Sequence, residues 1–196
     1  GALALALLSS TLIAACAEFA EAEARFGDLG RLLQDWIDPL FASEDAEARR
    51  LRLAACTLSD IGWRDHPDYR AEQAFTRILR LPIAGIDHKG RVAIALAVFV
   101  RYGGEADLTS MHSVLAMLSE EEHEHWHSVG LALRLAYALS AATPAVLKQS
   151  SVVATDARLT LRLQKGHDAL LGEAVERRLQ ALASAVGKSP SVTVGR

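Results

Sequence analysis

The stretch RVAIALAVFVRY at residues 91–102 decides the fold class of this chain. Every residue between its two arginines is apolar, and the run is long enough for several turns of helix. A helix that is apolar on all sides lies at the centre of a bundle, so other helices must pack around it. Gly103 and Gly104 follow and end this helix.

Segments on both sides of this stretch repeat their apolar residues at the spacing of amphipathic helices. They predict helices over 4–25, 28–41, 68–80, 109–118 and 120–142. Another helix opens at Ser43 and ends within 59–63. Asp28 is suited to cap the second helix, and Pro39 should kink or end it near its last turn.

The apolar spacing changes to a period of two over 151–155 and 158–163, which predicts a β-hairpin. A last amphipathic helix follows over 168–186. We therefore expect a mostly α fold in three parts. These are a multi-helix domain over 1–148, a small β-hairpin plus helix over 149–188, and a flexible tail over 189–196.

Composition excludes several classes of protein. Of the 196 residues, 51% are hydrophobic, which excludes a disordered chain, a collagen-like chain and a disulfide-stapled mini-protein. The net charge of −3 argues against a dedicated partner of nucleic acid or of an anionic membrane. Cys16 and Cys56 lack a CxxC partner, and we interpret them as buried free thiols of a cytoplasmic protein.

The apolar first fifteen residues resemble a leader, and residues 13–16 fit a lipoprotein cleavage box. No Lys or Arg precedes Arg25, however, and the run is too short to span a bilayer. We interpret it as a buried helix. The chain opens at Gly1 without methionine, which suggests a fragment of a longer protein; a stand-alone interaction module or lipoprotein is the alternative.

The motif LSDIG at residues 58–62 resembles the signature of the HD superfamily of metal-dependent phosphohydrolases. There, adjacent His and Asp side chains hold a divalent metal that activates water. Here Ser59 takes the place of the histidine, and no histidine precedes His66. Too few ligands remain for a metal site, so we expect Asp60 to be a cap or an ion-pair partner. A metal-dependent phosphohydrolase that uses Asp60 with unusual ligands is the alternative.

Seven basic side chains surround the two turns on either side of the helix predicted over 68–80. Such a set can hold a polyanion in a salt-dependent way, or it can be a set of solvated charges paired with nearby carboxylates. The seven are Arg64, His66, Arg70, His88, Lys89, Arg91 and Arg101.

His123 and His127 are four residues apart and would share a helix face. Zinc sites need further ligands, so we interpret the histidines as part of a polar helix start and predict no metal there.

Several motifs together resemble the C-terminal helical domain of the exopolyphosphatase/guanosine pentaphosphate phosphatase (Ppx/GppA) family, in particular its α-proteobacterial branch. They are LAACTLSDIGWR at 53–64, HPDYRAEQ at 66–73, GIDHKGR at 85–91, FVRY at 99–102, RLTLRL at 158–163 and GEAVERRL at 172–179. The resemblance extends over residues 29–186.

The resemblance implies an HD-like helical fold without a working metal site. It also implies two upstream actin-like ATPase-fold catalytic domains, where Mg²⁺ and a glutamate remove the terminal phosphate of polyphosphate or pppGpp. This chain would be their accessory domain, which guides the polyanion and forms a homodimer. We expect it to have no catalysis and no cofactor of its own, and no nucleic-acid or membrane partner.

Overall fold

The computed structural model describes residues 2–25, 29–105 and 111–195, with the backbone alone for 2–10. The helices are α1 (Ala2–Glu23), α2 (Leu29–Ile37), α3 (Ala46–Leu58), α4 (Arg70–Arg80), α5 (His88–Arg101), α6 (His112–Leu115), α7 (Glu120–Ser140), α8 (Pro144–Leu147) and α9 (Glu173–Ala185). The strands are β1 (Ser150–Ala154), β2 (Arg158–Leu163) and β3 (Ser189–Val194). The mostly α fold with a small C-terminal β element is confirmed.

Helix α5 occupies the centre of the bundle, as its sequence predicts. All nine residues from 92 to 100 are buried, each at most 2% exposed. Helices α3, α4 and α7 pack against it from different sides. Because every face of α5 is covered, the apolar sequence of this helix is satisfied inside one continuous core.

The closest approach between α5 and α7 depends on Gly130, and its replacement gives a first prediction. A Cβ at this position would lie 2.5 Å from Val100 Cβ and 2.6 Å from the backbone oxygen of Ala97. Gly130→Ala should therefore lower the free energy of unfolding by about 1–3 kcal/mol, despite the better helix propensity of alanine. Denaturant unfolding measures this. Gly172→Ala is the control, since its Cβ would meet nothing within 4 Å; equal stability of the two variants would contradict the prediction.

The C-terminal sheet has the order β1-β2-β3. Strands β1 and β2 form the expected antiparallel hairpin, and Val152 pairs with Leu161. Strand β3 lies parallel to β2, where the sequence predicted a flexible tail. A parallel neighbour requires a crossover, which α9 supplies. Gly187, with φ of 67°, follows that helix and precedes the strand.

Three other expectations change in detail, and a fourth concerns a residue that the structure does not describe. The helix expected over 109–118 is reduced to α6, and residues 109 and 110 lie outside the described part. The helix expected from residue 168 begins at Glu173, after a 3₁₀ turn. Asp45, rather than Ser43, caps α3, because its carboxylate accepts the N–H of Ala48 at 2.7 Å. The cap expected from Asp28 lies outside the described residues.

The core continues across the division expected at residue 148. Val152, Leu161 and Leu179 belong to the same buried cluster as α5 and α7.

The two cysteines are also in this core, free and buried. Burial raises the pKa of Cys16 and of Cys56 to about 12, so both thiols stay protonated at neutral pH.

Within the described residues, no helix is both long enough and apolar enough to cross a bilayer.

Candidate functional site

Ser59 and Asp60 follow the last residue of α3, and both are buried. The Ser59 hydroxyl donates to the backbone oxygen of Cys56 at 2.6 Å and lies 2.8 Å from the Tyr137 hydroxyl. Both contacts of the hydroxyl are therefore with groups of the protein itself. Ser59 is therefore a buried structural link between α3 and α7.

Two arginines share the carboxylate of Asp60. Arg25 donates from Nη2 to Oδ1 at 2.7 Å and from Nε to Oδ2 at 2.9 Å. Arg101 donates from Nη2 to Oδ1 at 3.1 Å. The side chains of Asp60 and Arg101 are 4% and 8% exposed, so this ion pair lies almost entirely away from water.

The Arg101 guanidinium lies between two tyrosine rings. Its Cζ is 3.9 Å from the centre of the Tyr102 ring and 3.7 Å from that of Tyr137. The Tyr102 hydroxyl accepts the N–H of Gly62 at 2.9 Å. Burial raises the pKa of Tyr102 to about 12 and raises that of Tyr137 as well. Both rings therefore stay neutral and contact the cation through their faces.

The donor set around Asp60 does not fit a divalent metal. Two guanidinium groups contact the carboxylate, and the Ser59 hydroxyl is already bonded inside the protein. A metal ion would have to displace these cations, and serine is a poor substitute for an imidazole ligand. The described part of the chain holds no group of three or more His, Cys, Asp or Glu side chains suited to a metal.

Arg101 is itself one of the seven basic candidates. Three others, Arg64, His66 and Arg70, lie on the same side of the molecule. The guanidinium carbon of Arg70 is 6.0 Å from the Tyr102 ring. Arg64 and Arg25 both approach the Trp63 ring, at 5.0 and 5.6 Å. His66 is exposed and lies four residues before Arg70, the first residue of α4, with its Nδ1 3.7 Å from Asp68. We call Arg25, Arg64, Arg70 and Arg101 the arginine cluster.

The other three candidates lie at the opposite end of α5. His88, Lys89 and Arg91 form its first turn, roughly 18 Å along the helix from Arg101. Lys89 pairs with Glu122 at 2.7 Å. Arg91 donates to the backbone oxygens of Leu81 and Ile83. The structure therefore divides the seven residues into two groups.

Lys89 borders a cavity of about 740 Å³ between the starts of α3 and α7. Its lining is rich in carboxylates, whose negative field opposes a polyanion. The acidic lining residues are Glu44, Asp45, Glu47, Glu121, Glu122 and Glu124. The first turn of α5 thus borders an acidic cavity, whereas Arg101, near its other end, belongs to the arginine cluster.

A second buried ion cluster, which the sequence did not reveal, is centred on Arg52. Its Nε donates to Glu44 at 2.7 Å and its Nη2 to Asp38 at 2.7 Å. Burial alone would lower the pKa of Arg52, but the bonds to Asp38 and Glu44 outweigh it and raise that pKa. The other oxygen of Glu44 lies 3.0 Å from His125 Nε2. The cluster joins the end of α2, the start of α3 and helix α7. An arginine between Leu51 and Leu53 was its only signal in the sequence.

His123 and His127 stack on α7, with ring centres 6.4 Å apart and planes 12° apart. Burial, and then the charge of His123, lowers the pKa of His127. Ser119 caps this helix through reciprocal bonds with Glu122, which agrees with the predicted polar helix start.

Comparison with known proteins identifies the family. The family model for the C-terminal domain of exopolyphosphatase matches residues 12–193, nearly the whole chain. No curated protein matches the chain significantly. The matched region includes every member of the arginine cluster and the buried ion pairs of Arg52 with Glu44 and of Arg101 with Asp60. The chain therefore belongs to the exopolyphosphatase C-terminal domain family.

Proposed function

We propose that this chain is the accessory domain of an exopolyphosphatase and that it holds a phosphate polyanion for catalytic domains upstream in the same protein. The observation that carries the proposal is the excess of guanidinium groups around Asp60. Four arginines are linked through this one carboxylate and through the rings of Trp63 and Tyr102. The excess charge favours an anionic ligand.

Within the cluster, the exposed members would contact the ligand, and the buried members would hold them in place. Arg64 is exposed and lies over Trp63. Arg70 is partly exposed and donates to the backbone oxygen of Asp65, not to its carboxylate. Arg101 is buried against Asp60. Arg64, His66 and Arg70 are therefore the contact residues that we propose.

The proposal assigns no catalysis to this chain. Asp60 and Ser59 are occupied by bonds within the protein, so neither is placed to activate water. Mg²⁺ and the reacting groups would belong to the upstream domains, and homodimer formation and an HD-like ancestry are further parts of the proposal. An assay of phosphate release from polyphosphate, with Mg²⁺ or Mn²⁺, should show no turnover by the isolated chain; an enzyme-like rate would contradict this.

Binding of inorganic tripolyphosphate tests the polyanion site directly. Calorimetric titration of the full chain should show binding that weakens as salt increases. Arg64→Gln should reduce the affinity roughly tenfold, the loss expected for one charge-assisted hydrogen bond. Lys89→Gln, at the acidic end of α5, is the matched control and should bind like the unsubstituted chain.

Two results would reject the proposal. Absence of tripolyphosphate binding at low salt would remove the polyanion function. A loss of affinity in Lys89→Gln with none in Arg64→Gln would move the site to the opposite end of α5. Parallel titration with pppGpp separates the two substrate classes that the family resemblance implies.

A further inference from the structure

The cavity between the starts of α3 and α7 has more carboxylates in its walls than the chain itself neutralises. Three of its six acidic residues form ion pairs within the protein, and the pairs are Glu44 with Arg52, Glu47 with Arg50 and Glu122 with Lys89. Within the described residues, Asp45, Glu121 and Glu124 have no ion-pair partner. The cavity therefore holds an excess of negative charge, which favours a cationic ligand.

A buried hydroxyl in the wall of this cavity lacks a partner. Ser128 lines the cavity and is 7% exposed, and in the part of the chain that the structure describes its side chain makes no hydrogen bond. Glu44 lines the same cavity, and its Oε1 also makes no hydrogen bond, although His125 Nε2 lies 3.0 Å away. Since an unpaired buried polar group costs free energy, a ligand that donates hydrogen bonds here would stabilise the protein.

Helix α7 places the acidic groups and the hydroxyl along one of its sides. Four residues related by steps of three or four share this side and line the cavity: Glu121, Glu124, His125 and Ser128. The first two are exposed, the His125 side chain is 28% exposed, and Ser128 is buried. The rim of the cavity is therefore charged, and the hydroxyl lies at its inner end.

The floor of the cavity is apolar. Phe41, Leu51 and Trp126 line it, and all three are buried. The volume of about 740 Å³ lies within the range of small-molecule sites, roughly 300–1,000 Å³. An apolar floor below an acidic rim fits a ligand whose positive charges are separated by methylene groups. Lys89 already shows this chemistry at the border of the cavity, where its alkylammonium pairs with Glu122 at 2.7 Å.

We propose that this cavity binds an aliphatic polyamine. Its ammonium groups contact the unpaired carboxylates of the rim and donate a hydrogen bond to Ser128, while its methylene groups lie on the apolar floor. A divalent metal fits less well, because it needs several ligands that converge on one point, and the described residues hold no suitable group of three. The inference goes beyond the proposed polyanion function and uses no member of the arginine cluster.

Calorimetric titration of the full chain with spermidine tests the proposal. The unsubstituted chain should bind spermidine at low salt, and more weakly as salt increases. Glu121→Gln and Glu124→Gln should each lower the affinity roughly two- to fivefold, the effect of one exposed charge pair. Glu120→Gln is the matched control, because Glu120 is exposed in the same first turn of α7 but does not line the cavity.

Two further variants separate a ligand contact from a structural role. Ser128→Ala should lower the affinity roughly tenfold, the loss of one hydrogen bond to a charged group. Without ligand it should unfold at the same or a higher temperature, because the hydroxyl has no partner among the described residues and alanine favours a helix. Lys89→Gln should raise the affinity roughly two- to fivefold, since its own ammonium competes for Glu122.

Several outcomes would overturn the inference. Absence of spermidine binding at low salt would do so, and so would equal losses in Glu120→Gln and Glu121→Gln, which would indicate general surface charge. Unchanged affinity in Ser128→Ala would reject this cavity as the site. Mg²⁺ alone is a separate titration: binding tighter than that of spermidine, and lost in Glu121→Gln, would make the cavity a metal site and reject the polyamine. A chain that binds spermidine but not tripolyphosphate would support this inference and reject the proposed function.

Discussion

Asp60→Asn should lower the free energy of unfolding by about 3–5 kcal/mol, the cost of removing one partner from a buried ion pair. Asparagine keeps the shape of the side chain but removes the charge that Arg101 requires. Arg101 is 8% exposed, and its Nε has no hydrogen-bond partner in the described part of the protein. The unpaired guanidinium would then remain between the rings of Tyr102 and Tyr137, away from water.

Chemical denaturation measures this effect, and Asp68→Asn is its control. The Asp68 side chain is 74% exposed and lies 3.7 Å from the Nδ1 of the exposed His66, so little stability should be lost there. A double variant, Asp60→Asn with Arg101→Met, should recover much of the loss because no buried charge remains. If Asp60→Asn were as stable as the unsubstituted chain, the role of Asp60 as counter-charge would be rejected. Metal analysis of the same samples should show no ion that is lost with the carboxylate.

Arg52→Met should also cost about 3–5 kcal/mol, through the second buried cluster. Methionine fills much of the volume but leaves the 4%-exposed carboxylate of Glu44 without its cation. The bond from Arg52 to Asp38 is lost as well, which loosens the turn between α2 and α3.

Arg49→Met provides a matched control for this prediction. Arg49 lies on the same helix and also pairs with Asp38, at 3.3 Å, but its side chain is 58% exposed. Its replacement should change stability by about 1 kcal/mol or less. Equal losses in the two variants would contradict the distinction between buried and exposed pairs. Glu44→Gln in the Arg52→Met background should restore part of the stability, because it removes the orphaned charge.

The central helix and the general architecture could be predicted from local pattern. Nine consecutive apolar residues leave α5 no exposed face, so its burial follows from composition alone. The hairpin of β1 and β2 also follows from a local period of two. Strand β3 does not, because its parallel partner is separated from it by a whole helix, and no local signal records such a pairing.

In the candidate site, too, some features can be predicted from local sequence and others cannot. The substitution of serine for histidine beside Asp60 can be read directly from LSDIG, and it already argues against a metal. The cations that contact Asp60 are 35 and 41 residues away along the chain, so the sequence could not identify them. Seven basic residues near two turns looked like one group, yet the length of α5 separates them into two.

Residue types and their periods thus established the helical class, the buried centre and the loss of a metal ligand, since each depends on neighbours within a few positions. Only the tertiary structure shows which charged side chains form ion pairs. Arg25 and Arg101 meet at Asp60, and Arg52 meets Glu44 and Asp38. The physical reason is that an ion pair depends on distance and burial in space, and separation along the chain specifies neither.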